Sequence, residues 1–202
     1  MERDQLQPEV EENREADYDI EPLFLNRWSP RAMTGAELEE EDFMPLFEAA
    51  RWAPSSYNNQ HWRFVYAERT DDEFEDFLEL IYDGNAGWAE DAAVLVVLAS
   101  KTTFDHNGEE ARTHSFDTGA AWENLALEGA RRGLAVHAMQ GFDYEGMADY
   151  LDLPEGFELE CMVAVGERAP AETLPEDLQE RETPSGRKQL GEIVSRGDFS
   201  FD

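Results

Sequence analysis

The stretch APSSYNNQHW, at residues 53–62, concentrates uncharged hydrogen-bonding groups between a helical pattern and a strand pattern. Pro54 should end the helix before it, because proline disfavours the α conformation of its predecessor and donates no backbone hydrogen bond. Turn residues dominate ordinary loops, so a plain helix-to-strand connection is one interpretation. The other is a rim of donors and acceptors for a flat, polar, heteroaromatic ligand. The side chains concerned are Ser55, Ser56, Asn58, Asn59 and Gln60.

A second candidate site is RWSPR, in which Arg27 and Arg31 stand on either side of Ser29. Positive charge is scarce in this chain, which has 16 Lys and Arg residues against 47 Asp and Glu residues. Ion pairs with the abundant carboxylates would explain both arginines. The fixed fork of guanidinium donors suits a phosphate equally well. A further basic pair, Arg187 and Lys188, follows near the C-terminal end.

The formal net charge of −31 argues against nucleic-acid or anionic-membrane partners, which require basic surfaces. An acid excess with scarce lysine resembles the composition of proteins from extreme halophiles. A dedicated acidic interaction protein or DNA mimic is the alternative, but such a protein would concentrate its acids on one face. Here the acids are spread over helices and loops, so we interpret them as an adaptation to high salt.

Cys161 is the only cysteine, which rules out an intramolecular disulfide and predicts a buried structural thiol. No apolar run reaches membrane-spanning length, and the N-terminal residues are acidic without an apolar signal core. We therefore expect a soluble, cytoplasmic protein. The histidines lack the spacing of metal ligands, although the first lies close enough to the candidate loop to stay undecided. They are His61, His106, His114 and His137.

Residues 1–20 are charged and poor in apolar side chains, which predicts an acidic, mobile lead-in to a single domain over residues 21–202. Helical spacing of apolar residues follows over 37–52. Thr34 and Glu37 would form a capping box for that helix, but Pro45 would then lie inside it, so a start nearer residue 40 is the alternative.

Two later helices are predicted from their ends. A capping box at residues 70–73 opens one, and the stretch DGNAG at 83–87 closes it. Ser115 caps another, which runs over 115–132 and ends through Gly133 in a left-handed conformation. The glycine at position 119 implies close packing of that helix against a neighbour.

Apolar runs predict strands at 62–67, 92–99 and 158–165. The second is apolar throughout, as expected of a central strand that is buried on both faces. A short apolar segment at 134–139 and a helix at 142–151 lie between the last two strands. The pattern indicates an α+β fold with helices flanking a sheet.

Four motifs stand in the order found in the nitroreductase family of flavoproteins: RWSPR, APSSYNNQHW, GNAGW at 84–88 and GRKQLGEIV near the C-terminal end. The resemblance covers about residue 25 to residue 194. It implies an α+β fold with a central mixed, mainly antiparallel sheet flanked by helices. It also implies a homodimer that binds FMN at the subunit interface, with residues from both chains around each flavin.

The resemblance assigns the matched residues to different parts of FMN. The resemblance assigns the phosphate and ribityl chain to Arg27, Trp28, Ser29 and Arg31, with a C-terminal clamp of Arg187 and Lys188. It places Ser55, Ser56, Asn58 and Gln60 along the flavin, some of them from the partner chain. It assigns the pyrimidine edge to Asn85, and the backbone near flavin N5 to Gln140 and Gly141.

Three residues depart from the family pattern. His61 stands where a proline commonly precedes the tryptophan, which would reshape the substrate side. Trp28 stands where a second arginine or lysine is usual, so the phosphate clamp would depend more on Arg27, Arg31 and Arg187. Trp88 replaces a lysine found in some members, which removes one expected flavin contact.

The resemblance implies an FMN-dependent NAD(P)H oxidoreductase that works by ping-pong hydride transfer, with no side chain acting as nucleophile. FMN would carry the hydride at N5 to an electron-poor acceptor such as a nitroaromatic or a quinone. A dehalogenase or flavin-fragmenting activity is an alternative within the same fold. A non-enzymatic acidic interaction protein, which needs no flavin, is the alternative from another class.

Overall fold

The computed structural model describes residues 5–201 and contains a four-stranded sheet in the order β1-β2-β4-β3. The strands are β1 (Trp62–Glu68), β2 (Val94–Lys101), β3 (Leu134–Met139) and β4 (Phe157–Glu167). All three pairings are antiparallel, so the expected mixed sheet is wrong for the described residues. The physical reason is the position of β4, which lies between β2 and β3 and runs opposite to both.

Strand β2 is buried on both faces, as its unbroken apolar sequence predicts. Its side chains alternate between two cores, with Leu95 and Val97 on one face and Val94 and Val96 on the other. The predicted central strand is therefore confirmed, although it begins and ends two residues later than predicted. The short apolar segment predicted at residues 134–139 forms the edge strand β3.

Eight α-helices lie around this sheet among the described residues. They are α1 (Pro8–Glu11), α2 (Pro22–Asn26), α3 (Glu40–Arg51), α4 (Asp72–Glu79), α5 (Asp83–Ala89), α6 (His114–Arg132), α7 (Tyr144–Tyr150) and α8 (Glu176–Gln179). Helices α3 and α6 pack together over one face of the sheet, and side chains of α4, α5 and α7 fill the core on the other. The expected α+β fold with flanking helices is confirmed.

Helix α3 begins at Glu40, which confirms the later of the two predicted starts and leaves Pro45 inside the helix. The capping box of Thr34 and Glu37 is wrong. The Thr34 hydroxyl instead accepts a hydrogen bond from the Ala36 N–H, at 3.2 Å, in a turn that precedes the helix.

The capping box at residues 70–73 is also wrong. Helix α4 follows Asp71, whose side chain accepts the Glu68 N–H at 2.8 Å and makes no cap bond to the helix. The stretch DGNAG does not close α4, because its residues form the separate helix α5. Helix α7 is shorter than predicted and is capped by Asp143, which accepts the Gly146 N–H at 3.0 Å.

Helix α6 starts one residue before Ser115, so the expected serine cap is wrong: the Ser115 hydroxyl donates to Glu160 Oε2 at 2.8 Å. The left-handed exit through Gly133 is confirmed by its φ of 81°. Close packing occurs at Gly129, where an added Cβ would lie 2.3 Å from Val136 Cγ2. At Gly119 nothing lies within 4 Å, so the expectation of close packing there is wrong within this chain.

The N-terminal segment packs on the domain more closely than its charged composition predicts. Val10 of α1 is fully buried, and the Gln7 N–H donates to Asn26 Oδ1 at 2.9 Å. Arg168, which directly follows β4, forms an ion pair with Glu9 at 2.7 Å. The mobility of residues 1–20 stays a prediction, and residues 1–4 lie outside the described part.

None of the helices in the described part of the chain has the length and the apolar content that a membrane crossing requires.

The contact between Gly129 and Val136 leads to a test of α6 packing. Gly129→Ala should lower the free energy of unfolding by about 1–3 kcal/mol, because the stiff Val136 side chain must shift to admit a methyl group. Gly119→Ala on the same helix is the matched control and should leave stability unchanged or raise it by up to about 1 kcal/mol. Urea unfolding of both variants measures the difference. Equal losses at the two positions would contradict the packing described.

Candidate functional site

The loop that precedes β1 holds an unusual backbone. Tyr57, Asn58 and Gln60 all have positive φ, at 54°, 54° and 53°, without being glycines. Such conformations cost free energy, and they cluster where the surrounding structure imposes a functional geometry. The Gln60 N–H donates to Ser55 Oγ at 2.9 Å across the loop. A plain helix-to-strand connection does not require this backbone.

Two side chains fix the loop to the rest of the domain. The Ser56 N–H donates to Asp117 Oδ2 of α6 at 2.8 Å, and Asp117 is only 4% exposed. Asn59 accepts the Asp105 N–H at 2.8 Å and donates to the Thr103 carbonyl at 3.3 Å. The sequence did not point to Asp117, since its only local signal is an acidic residue in the first turn of a helix.

His61, which stands in place of the family's proline, is fully buried beneath this loop. Its Nδ1 lies 2.7 Å from the Lys101 carbonyl oxygen, which can only accept, so Nδ1 carries the proton. Its Nε2 lies 3.7 Å from Asp117 Oδ2 and has no hydrogen bond. His61 therefore joins the start of β1 to the end of β2, and its Nε2 faces the Asp117 carboxylate of α6 without a hydrogen bond.

A second group of candidate residues meets at the end of β3. The Asn85 amide donates to the Gly141 carbonyl at 3.3 Å, and the Tyr82 N–H donates to the same oxygen at 3.0 Å. The Gly141 N–H has no hydrogen-bond partner among residues 5–201. A Cβ at Gly141 would lie 2.4 Å from Asn85 Nδ2, so this close approach requires a glycine. Gln140 beside it is exposed.

The RWSPR stretch contacts β3 through Pro30. His137 of β3 lies with Nδ1 3.2 Å from the Pro30 carbonyl oxygen, and its ring centroid is 4.6 Å from that of Trp88 on α5. Burial, followed by the charge of Arg31, lowers the pKa of His137 to about 4. The imidazole is therefore neutral near physiological pH.

Glu182, which the sequence did not single out, holds the segment after β4 against RWSPR. Its Oε1 accepts the N–H groups of Arg31 and Ala32 at 2.6 and 2.9 Å, and its Oε2 lies 3.7 Å from Arg31 Nη1. The ring of Trp28 lies under the Arg168 guanidinium, with the Arg168 Cζ 5.1 Å from the ring centroid. One face of the Trp28 ring is therefore occupied by Arg168.

Arg27 and Arg187, predicted as parts of one phosphate clamp, come together with a third arginine that the sequence analysis missed. Arg14 Nη1 donates to the Arg27 carbonyl at 2.8 Å. The pKa of Arg14 is lowered to about 10 by burial and by the charges of Arg187 and Arg27. Arg27 Nε is buried without a hydrogen bond, 3.4 Å from Glu123 Oε1. We call Arg14, Arg27 and Arg187 the arginine cluster.

One chain does not bring all the candidate residues together. The loop of residues 55–60 precedes β1, whereas Gly141 follows β3, and these strands form opposite edges of the sheet. Three interstrand spacings separate them, which is about 14 Å. Within one chain the candidates lie in separate groups: the loop, the pair formed by Asn85 and Gly141, and the arginine cluster.

The remaining reactive side chains do not form a competing site. Burial, followed by the charge of Glu160, raises the pKa of Cys161 to about 12, so its thiol stays protonated. The described residues contain no group of three or more His, Cys, Asp or Glu side chains arranged to hold a metal ion.

The antiparallel sheet with helices on both faces is an α+β fold, and the chain is similar to an oxidoreductase that is described as containing FMN. More particularly, the chain belongs to the nitroreductase family, whose sequence model matches residues 24–87 and 80–167. Arg14, Arg187 and Lys188 lie outside the matched residues.

Similar proteins agree with this family. A solved structure described as an oxidoreductase containing FMN is 41% identical, with a TM-score of 0.90 over 94% of this chain and 97% of that chain. A Bacillus subtilis strain 168 protein, named provisionally as an NAD(P)H nitroreductase, is 23% identical over 80% of this chain and 90% of its own length. A nitroreductase family protein from Streptococcus pneumoniae TIGR4 shares the fold, with 21% identity and a TM-score of 0.68 over 86% and 98% of the two chains.

The approach of Asn85 to Gly141 leads to a double-mutant test. Gly141→Ala should displace the Asn85 amide and cost about 1 kcal/mol of stability, the usual value of one hydrogen bond. Asn85→Ala removes the same bond and also makes room for the methyl group. The double variant should therefore lose less stability than the two single variants together, which urea unfolding measures. Additive losses would show that the two residues are not coupled.

Proposed function

We propose that this protein is an FMN-dependent oxidoreductase that transfers hydride from NAD(P)H to an electron-poor acceptor, such as a nitroaromatic or a quinone. The observation that carries the proposal is the arginine cluster, because it joins residues from two distant stretches that the family uses to bind FMN. Membership of the nitroreductase family and the similarity to an FMN-containing oxidoreductase support it.

The arginine cluster fits the phosphate of FMN. Arg27 Nε is buried without a hydrogen bond, and neither Arg187 nor Lys188 forms an ion pair among residues 5–201. A phosphate monoester carries about two negative charges near neutral pH, and guanidinium groups bind it through paired, charge-assisted hydrogen bonds. We propose that Arg27 and Arg187 hold the phosphate, with Ser29 beside them and Lys188 at the exposed side.

The group at the end of β3 fits the flavin ring. The unpartnered Gly141 N–H offers a donor, and the Asn85 amide, held by the Gly141 carbonyl, offers donor and acceptor atoms to a ring edge. FMN, when bound, would supply the hydride chemistry through its N5 atom. The residues of this chain would bind and orient it, and no side chain needs to act as nucleophile.

We propose further that two copies of this chain complete each site. The loop of residues 55–60 lies at the opposite sheet edge from Gly141, so the loop of a second copy would have to supply its side chains to the flavin. Tyr57 is 80% exposed on that loop. The C-terminal residues also expose large apolar side chains, among them Ile193, Val194 and Phe199, as an interface with a second copy requires.

The proposed activity is tested on the purified protein. Its visible spectrum should show bound oxidised flavin, the absorbance should fall when NADH or NADPH is added without oxygen, and a quinone should restore it. Arg27→Ala should weaken FMN binding by about 1.5–3 kcal/mol, because a charge-assisted bond to phosphate is lost. Arg132→Ala, which removes an exposed charge at the far end of α6, is the control. A folded protein that takes up no flavin would support the acidic interaction protein instead.

The proposed dimer is tested by its dependence on salt. Two chains of charge −31 repel each other, so we expect the dimer to dissociate at low salt and to lose FMN with it. Sizing columns at millimolar and molar salt, with flavin absorbance recorded on each peak, measure both changes. A fully flavinated dimer at millimolar salt would mean that the acid excess has another purpose. A flavinated monomer would contradict the shared site.

A further inference from the structure

We propose that Arg14 assembles the phosphate site: it ties the two segments that carry Arg27 and Arg187 to each other and adds a third positive charge. The inference rests on the proposed function, and it concerns a residue of the N-terminal segment, outside the residues that the family model matches. Its ligand is the phosphate group of FMN.

The first step is the set of bonds that Arg14 makes. Its Nη1 donates to the carbonyl oxygens of Leu25 and Arg27, at 2.5 and 2.8 Å, and its Nε donates to the Ser185 carbonyl at 2.9 Å. One guanidinium therefore holds the end of α2 against a segment near the C-terminal end. Of its five N–H donors, the two on Nη2 have no partner among the described residues.

The second step is the charge around it. Arg187 Nη1 donates to the same Ser185 carbonyl at 3.2 Å, so two guanidinium groups share one acceptor. Within residues 5–201, Arg14 and Arg187 form no ion pair with a carboxylate, although the sequence has 47 acidic residues for 16 basic ones. Burial, followed by the like charges of Arg187 and Arg27, lowers the pKa of Arg14, and like charges held this close repel each other. An anion bound between them would offset that repulsion.

The third step is the space available. Arg14, Arg187 and Lys188 line one open cleft of about 500 Å³, together with residues of α2. Glu15 and Asp17 also line the cleft, but neither forms an ion pair with these cations. Arg14 thus shares an open space with Arg187 and Lys188, the C-terminal residues assigned to the phosphate clamp.

The experiment compares two ligands that differ only in the phosphate. Dissociation constants of FMN and of riboflavin are measured by flavin fluorescence at fixed high salt, for the wild type, Arg14→Met, Arg14→Lys and the control Arg132→Met. Methionine keeps an unbranched apolar side chain but has no donor. Lysine keeps the charge, but its compact ammonium lacks the planar fork of donors with which the guanidinium spans the separate carbonyls. Arg131 still pairs with Glu128 in the control.

We expect Arg14→Met to weaken FMN binding roughly 10- to 100-fold and riboflavin binding less than about threefold, since only FMN carries the group that the cluster binds. Arg14→Lys should lie between the wild type and Arg14→Met, and Arg132→Met should match the wild type. Circular dichroism on each variant checks that it is folded.

Three results would overturn the proposal. Unchanged FMN affinity in Arg14→Met would show that Arg27 and Arg187 bind the phosphate without help. Equal losses for FMN and riboflavin would show that Arg14 only supports the fold. A wild-type protein that binds neither flavin would overturn the proposed function, and this inference with it, whereas the first two results leave the proposed function standing.

Discussion

The pairing of β2 with β1 on one side and β4 on the other is the constraint on which the rest of the structure depends. Because β2 is buried on both faces, its backbone groups have no access to water and must be satisfied by neighbouring strands. The register then fixes the ends of the sheet: Trp62 lies opposite Ser100, and Met139 lies opposite Met162. The strained loop before β1 and the Gly141 turn after β3 take their positions from these pairings.

Because positive charge is scarce in this chain, the contacts of each arginine are more informative than they would be in a protein of balanced charge. Arg51 pairs with Glu48 within one turn of helix on the surface, where solvent screens the attraction and such pairs contribute little to stability. Arg27 of the arginine cluster also lies 3.4 Å from a carboxylate, that of Glu123. Arg14 and Arg187 form no ion pair among the described residues, so the cluster holds like charges together in a chain rich in carboxylates.

How well the sequence predicts a feature of this molecule depends on how far apart in the chain the interacting residues lie. Apolar runs located the central strand within two residues, because burial on both faces leaves a local mark. A predicted helix cap was wrong where the side chain bonds to a residue outside its own helical turn, as Ser115 does with Glu160. The resemblance to the family assigned both Asn85 and Gly141 to the flavin ring. Nothing local marked Asp117, Glu182 or Arg14, since their partners are brought to them only by the tertiary fold.

The bond from Arg14 to Ser185 also bears on how the protein is made. The two residues are 171 positions apart, so the contact cannot form until Ser185 has been synthesised. At about 5–20 residues per second, the ribosome needs on the order of 10–30 s to add the residues between them. The four strands of the sheet all precede Ser185, so they can begin to pair earlier. On the proposal made above, a nascent chain gains its affinity for phosphate only after this second segment has been added.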